Sequence, residues 1–162
     1  MNSLIIFSAK YLYLFVIGIY AVYFFKISKG KRKDLALLTI IALPLIYIVS
    51  RIPAMFYFDP RPFVAGHFAP LIPHAPDNGF PSDHALLTSA IASIVYFHNK
   101  KVSALLWLLT FIVGASRVLA GVHHWVDIFG ACVISLAVTT LTERLLIKSK
   151  IISYKTSYSI PK

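Results

Sequence analysis

The sequence predicts an all-α, polytopic membrane helix bundle of about five transmembrane helices, with its N-terminus outside and its C-terminus inside. Three observations carry this. The composition is 58% hydrophobic and 14% charged, with a mean hydropathy of +0.75, which is far from that of a soluble domain. Apolar runs of near-spanning length alternate with short polar segments. Finally, twelve of the 16 Lys and Arg fall in three places at or beyond the ends of those runs: residues 26–33, Lys100 with Lys101, and residues 144–162. A net charge of +10 would suggest nucleic acid in a soluble chain. Charge confined to alternate ends of apolar runs is instead the positive-inside pattern, so no nucleic-acid partner is expected. Membrane lipids are the expected surroundings, and the basic tail is placed to touch anionic headgroups. At 162 residues the chain reads as one domain spanning 1–162. Nothing in the sequence specifies an oligomeric state.

The first apolar run, residues 4–25, is long enough to span. It lacks the basic start and small-residue cleavage site of a signal peptide. Lys10 near its beginning can snorkel outward. The basic cluster 26–33 then belongs inside. The second run, 35–52, contains Pro44, which predicts a kink, and ends with Arg51 before Pro53. Residues 58–80 follow as the longest non-helical stretch. They carry five prolines and the turn signal Asp77-Asn78-Gly79, with Arg61 as their one cation.

The third run, 85–97, is short for a span. Its helix is expected to begin at Ser82, an apt N-cap, with Asp83 in the first turn and its start sunk below the surface. His98-Asn99-Lys100-Lys101 forms the second inside turn. The fourth run, 102–119, returns outward and delivers Arg117; the fifth, about 125–147, goes back in. Cys132, the lone cysteine, lies within an apolar run and reads as a small core residue. On this topology Arg61, the segment 82–84 and the segment 117–127 all reach the outer side, independently of their chemistry.

Those three clusters bring together cations, a helix N-terminus, imidazoles and a carboxylate. Charges beside apolar runs are expensive in lipid and so imply a buried polar site or a wet cavity. If the fifth helix starts early enough, His123 and Asp127, four apart, share a helical face. Asp127 then holds one ring nitrogen and frees the other as base or nucleophile. Arg61 and Arg117 offer guanidinium forks to phosphoryl oxygens. The backbone N–H groups after Ser82 point at an anion. A second imidazole, His84, is available to protonate a leaving oxygen. His124 is expected to face away in a structural or interfacial role, and His67 and His74 to lie in the solvent or at the substrate mouth.

With these residues in place, the chain resembles the membrane branch of the type-2 phosphatidic acid phosphatase superfamily. The family pattern is Lys, six residues, Arg-Pro; then Pro-Ser-x-His; then Ser-Arg, five residues, His, three residues, Asp. Here the second part is Pro81-Ser82-Asp83-His84, and the third is Ser116-Arg117, His123 and Asp127, both complete. The first part is met at Arg61-Pro62, but Ala54 stands at the Lys position. Arg51, one helical turn earlier, is within reach of the same phosphate. The resemblance covers residues 51–129, and the form Phe80-Pro81-Ser82-Asp83-His84 is similar to bacterial undecaprenyl-diphosphate phosphatases.

The resemblance implies His123 as nucleophile, Asp127 orienting it, and His84 as general acid. Arg61, Arg117, Ser82, Asp83 and Arg51 would bind the phosphate, with no metal or other cofactor. The implied substrate is a polyprenyl diphosphate lipid, hydrolysed at the outer face of a bacterial cytoplasmic membrane. Phosphatidate or phosphatidylglycerol phosphate is the alternative substrate. A reading of another class is a metal-binding membrane protein or transporter with zinc held by His84, His123, His124 and Asp127; the nearby Arg61 and Arg117 oppose a cation there.

Overall fold

The computed structural model describes residues 2–153. The apolar runs are helices: α1 (Asn2–Lys26), α2 (Lys29–Phe56), a single turn α3 (Pro62–Ala65), α4 (Asp83–Tyr96), α5 (Lys100–Leu119) and α6 (Trp125–Lys148). Four of them, α1, α2, α5 and α6, are long and apolar enough to cross a membrane. The third expected span is the 14-residue α4, about 21 Å long at the usual helical rise. The part of the basic tail beyond Ser153 lies outside the described residues.

α4 is the hub. It packs against α1, α2, α5 and α6, and its buried face runs almost unbroken from Ala85 to Val95. Small side chains make that possible. Ala85, Ala90, Ala92, Ser89 and Ser93 let four neighbouring backbones approach closely. Several buried hydroxyls find acceptors: Ser89 Oγ donates to Ala85 O at 2.6 Å. From the flanking helices, Ser103 Oγ donates to Ala92 O at 2.8 Å, and Ser135 Oγ to Leu86 O at 3.0 Å. Leu35, Leu38, Ala42 and Ile46 of α2 close the core against Ile94, Ile128 and Leu146.

The basic turns gather at one end of the bundle. Arg32 folds back to cap the end of α1, donating to Phe24 O at 3.1 Å and Phe25 O at 2.7 Å. Asn99 Oδ1 caps α5 by accepting from the N–H groups of Lys101 and Val102. At the opposite end lie the end of α2, the long loop, the start of α4 and the α5–α6 turn. Two differences from the sequence expectation matter there. α2 does not stop at residue 52 but passes through Pro44 and Pro53 to Phe56. Residues 120–124 form a turn before α6 starts at Trp125, so His123 precedes the helix that carries Asp127.

Candidate active site

The loop 57–81 is folded onto the bundle by hydrogen bonds to its backbone and by a small apolar cluster around Ile72. Asn78 is its clamp. Its amide donates to Tyr57 O at 3.0 Å and to Ala54 O at 3.3 Å. Its Oδ1 accepts from Asp59 N at 2.9 Å and Phe80 N at 3.0 Å. Gly79 follows where the loop passes the site: a Cβ there would lie 3.0 Å from Asp127 Oδ2 and 3.2 Å from Asp59 O. Farther along, Leu71 N donates to Ala120 O at 3.0 Å, and Ile72 is buried among Ala9, Ala120 and Val122. The loop is therefore tied to α2 and to the α5–α6 turn.

These ties bring Arg61 under the bundle's end, where it is 5% exposed. Its Nε donates to Asp77 Oδ1 at 2.8 Å and its Nη1 to Val122 O at 2.8 Å. Nη1 also lies 3.2 Å from His123 Nε2. Arg117, on the last turn of α5, is buried and donates Nη1 to Ala9 O at 3.3 Å. Its Nε is buried without a partner, as is Ser82 Oγ. Ser82 holds the N-cap position of α4 but makes no side-chain cap, which leaves its hydroxyl free inside the site. Two buried donors with nothing to bind cost free energy unless an anion completes them.

His123 and Asp127 form the centre. Nδ1 of His123 lies 3.1 Å from Asp127 Oδ2, and Asp127 is wholly buried. The pairing is not made across a helical face, because His123 lies in the turn. Instead Asp127, in the first turn of α6, reaches back, and the N–H of His124 donates to the same oxygen at 2.9 Å. The carboxylate thus fixes the tautomer with the proton on Nδ1 and leaves the Nε2 lone pair unprotonated, facing Arg61 Nη1 at 3.2 Å. Burial, with the guanidiniums of Arg117 and Arg61, pushes the His123 imidazole down to about 2. It is neutral throughout the physiological range, the state a nucleophilic imidazole requires.

The remaining predicted residues surround this pair. His84 stands in the first turn of α4, its ring edge-on to Tyr13 at 4.8 Å between centroids. Arg51 does not meet His123. It is ion-paired with Asp83 and lies over the Tyr47 ring at 4.5 Å, so both acid and base sit at the exposed rim. His74, on the pinned loop, lies 6.0 Å from His123 between ring centroids. Its imidazole is pushed down by burial and by Arg61. His124, expected to face away, has a definite partner next to the centre: its Nδ1 lies 3.1 Å from Asp59 Oδ2. The carboxylate–imidazole cluster among the described residues is accordingly Asp59, His124 and Asp127, which differs from the zinc set the sequence suggested. Asp59 and Tyr13 lie outside every motif, and Asn78 reads in the sequence only as part of a turn. An Asp two residues before an Arg-Pro pair is the one signal that points toward Asp59.

A buried His–Asp pair, two guanidiniums and a helix start with a free hydroxyl, set at one end of an apolar bundle, define a membrane phosphatase. The PAP2 superfamily model matches residues 33–150, and the chain belongs to that family of lipid phosphatases. It is 31% identical over 147 residues to the undecaprenyl-diphosphatase BcrC of Bacillus subtilis, covering 89% of this chain and 74% of the relative. Its fold is similar to that of LpxE from Aquifex aeolicus, with a TM-score of 0.66 and 25% identity over 89% of this chain and 87% of that one. It is also similar in fold to a PAP2-type phosphatidylglycerolphosphate phosphatase from Bacillus subtilis, with a TM-score of 0.67 and 23% identity, covering 95% and 79%.

Proposed function

We propose that this protein hydrolyses undecaprenyl diphosphate to undecaprenyl phosphate and inorganic phosphate at the outer face of a bacterial cytoplasmic membrane. The observation that carries the proposal is the neutral, Asp127-held His123 beside the unpartnered donors Arg117 Nε and Ser82 Oγ. The terminal phosphoryl group binds to Arg61, Arg117, Ser82 and the N-terminus of α4. His123 Nε2 attacks phosphorus and the bond to the bridging oxygen breaks. The lipid monophosphate leaves, with His84 supplying a proton where one is needed. Water then attacks the phosphohistidine, His84 takes its proton, inorganic phosphate departs and His123 is restored.

The lipid end is supported by a cavity of about 570 Å³ that has His123 and His124 at one side and Phe68, Leu71, Leu119 and Trp125 on its walls. An apolar lining next to the imidazoles suits an isoprenoid chain. The relative named as an undecaprenyl-diphosphatase supports the choice of lipid. Lys and Arg at the opposite end support an outward-facing site with the N-terminus outside.

The test is phosphate release by purified protein from undecaprenyl diphosphate, phosphatidate and phosphatidylglycerol phosphate. The expected order puts the diphosphate first by at least tenfold in kcat/KM, with an acid-labile phosphoenzyme on rapid quench. A preference for either monophosphate would overturn the substrate assignment, and an acid-stable or absent phosphoenzyme the route.

A further inference from the structure

Asp127 uses only one of its oxygens in the machinery described above. Oδ2 accepts from His123 and from the backbone of His124. Oδ1 is buried without a hydrogen-bond partner, in a residue with no exposed surface. An unsatisfied carboxylate oxygen in that setting raises the cost of keeping Asp127 charged, which is the state His123 needs. The group placed to complete it is Asp59. Asp59, His124 and Asp127 each offer an atom to a cluster in which all lie within 4.8 Å of one another. Asp59 is not free to leave: its N–H is held by Asn78, its C=O by Gly79 N at 2.8 Å, and its Oδ2 by His124 Nδ1 at 3.1 Å.

We propose that Asp59 is a positioning residue for the nucleophile, with its carboxyl proton donated to Oδ1 of Asp127 while His124 holds the other Asp59 oxygen. The chain of donors runs one way. His124 Nδ1–H donates to Asp59 Oδ2, Asp59 Oδ1–H donates to Asp127 Oδ1, and His123 Nδ1–H donates to Asp127 Oδ2. The chain ends on the Asp127 carboxylate, which stays anionic and aligned. Burial and the Asp127 carboxylate push the Asp59 carboxyl up, in the direction that keeps its proton. Facing the pair are His124 and Arg61, while His123 lies on the other oxygen of Asp127. Gly79 keeps the space open, since a Cβ there would press on the Asp127 carboxylate and on the backbone carbonyl of Asp59.

This inference rests on the role proposed for His123, and the experiment separates the two. Steady-state kinetics on undecaprenyl diphosphate are measured for Asp59→Ala, Asp59→Asn, Asp127→Asn, the double variant Asp59→Ala/Asp127→Asn, and His123→Ala. Asp59→Ala should lower kcat about thirtyfold with KM changed less than twofold. Asp59→Asn, whose amide can still donate, should recover all but about threefold of that loss. In the Asp127→Asn background, Asp59→Ala should cost less than twofold, because its effect passes through Asp127. A full thirtyfold loss in that background overturns the proposal, as does an Asp59→Asn variant as impaired as Asp59→Ala. Loss of wild-type activity on chelation with recovery by Zn²⁺ also overturns it, and makes the cluster a metal site. An active His123→Ala would instead overturn the mechanism itself.

Discussion

Two sets of charges lie at the same end of this bundle and differ in almost every physical respect. The inner set is Arg61, Arg117, His123 and Asp127, each at most 5% exposed. The outer set is the Arg51–Asp83 ion pair, whose side chains are 40% and 70% exposed. The inner charges are neutralised or aligned by fixed partners, yet they leave donors open toward an anion. The outer pair is open to solvent and its members engage each other, although Arg51 Nε is buried without a hydrogen-bond partner. Proximity to the site is therefore not participation: an unfilled donor on a buried side chain marks a working group, whereas Arg51 has one unfilled nitrogen on a side chain that is 40% exposed and already ion-paired. That contrast predicts a steep gradient of mutational effects from the centre to the rim.

The largest effects belong to the centre. His123→Ala should abolish turnover, because no other described imidazole is held by Asp127. Asp127→Asn keeps the shape but loses the charge that fixes the tautomer, and should cost on the order of a hundred- to a thousandfold in kcat. In the Ser-His-Asp triad of serine proteases the comparable change costs about ten-thousandfold; here the cations and the helix start still hold the phosphate. Phosphate release by the purified variants checks both. Near-normal activity in His123→Ala would erase the distinction between centre and rim.

Ser82→Ala comes next. Its hydroxyl is buried, makes no helix cap and has no partner, so its removal should leave stability almost unchanged. A lost hydrogen bond to a charged group is worth about 1.5–3 kcal/mol, which corresponds to a fall in kcat/KM of roughly ten- to a hundredfold. If stability falls and activity does not, the hydroxyl belongs to the scaffold rather than to the substrate.

The helices and the motif residues are legible in the sequence because each depends on local pattern. Apolar runs set α1, α2, α5 and α6, and the spacing from Ser116 to Asp127 identifies the central pair. What is illegible depends on contacts between distant segments. Pro53 reads as the end of α2, but the helix continues a further turn and presents Ala54 O to Asn78. Asp77-Asn78-Gly79 reads as a turn; it also proves to be the clamp that sets Asp59 and Arg61. Four-residue spacing suggests a shared helical face for His123 and Asp127. The same contact is reached from a turn, since an acid in the first helical turn can reach back toward the residues that precede it.

Acid should distinguish the inner set in a second way. His123 is held neutral in the folded protein and takes up a proton near its ordinary value of 6.5 when unfolded. The unfolded state therefore binds more protons as pH falls below about 6.5, and stability is lost in that direction. Thermal unfolding in detergent should show a falling Tm between pH 7 and pH 5. His123→Asn should flatten part of that fall. An unchanged slope would mean that His123 is not held neutral in the fold.

The smallest effect should be at Arg51, the cation nearest in sequence to the Lys missing at Ala54. Its guanidinium is engaged by Asp83 and supported by Tyr47. An exposed ion pair of this kind contributes about 0–1 kcal/mol, so Arg51→Ala should leave the Tm within a degree or two. Its effect on turnover should be about threefold or less, because binding phosphate would require Arg51 first to release Asp83. The decisive comparison is with Asp83→Asn, which frees Arg51 without removing it. If Arg51 serves only the rim, neither change moves kcat/KM by more than about threefold. If it is a phosphate ligand restrained by Asp83, Asp83→Asn raises kcat/KM and Arg51→Ala in that background lowers it by well over tenfold. The second outcome would move Arg51 from the rim into the working set and show that the gap at Ala54 is filled from one helical turn away.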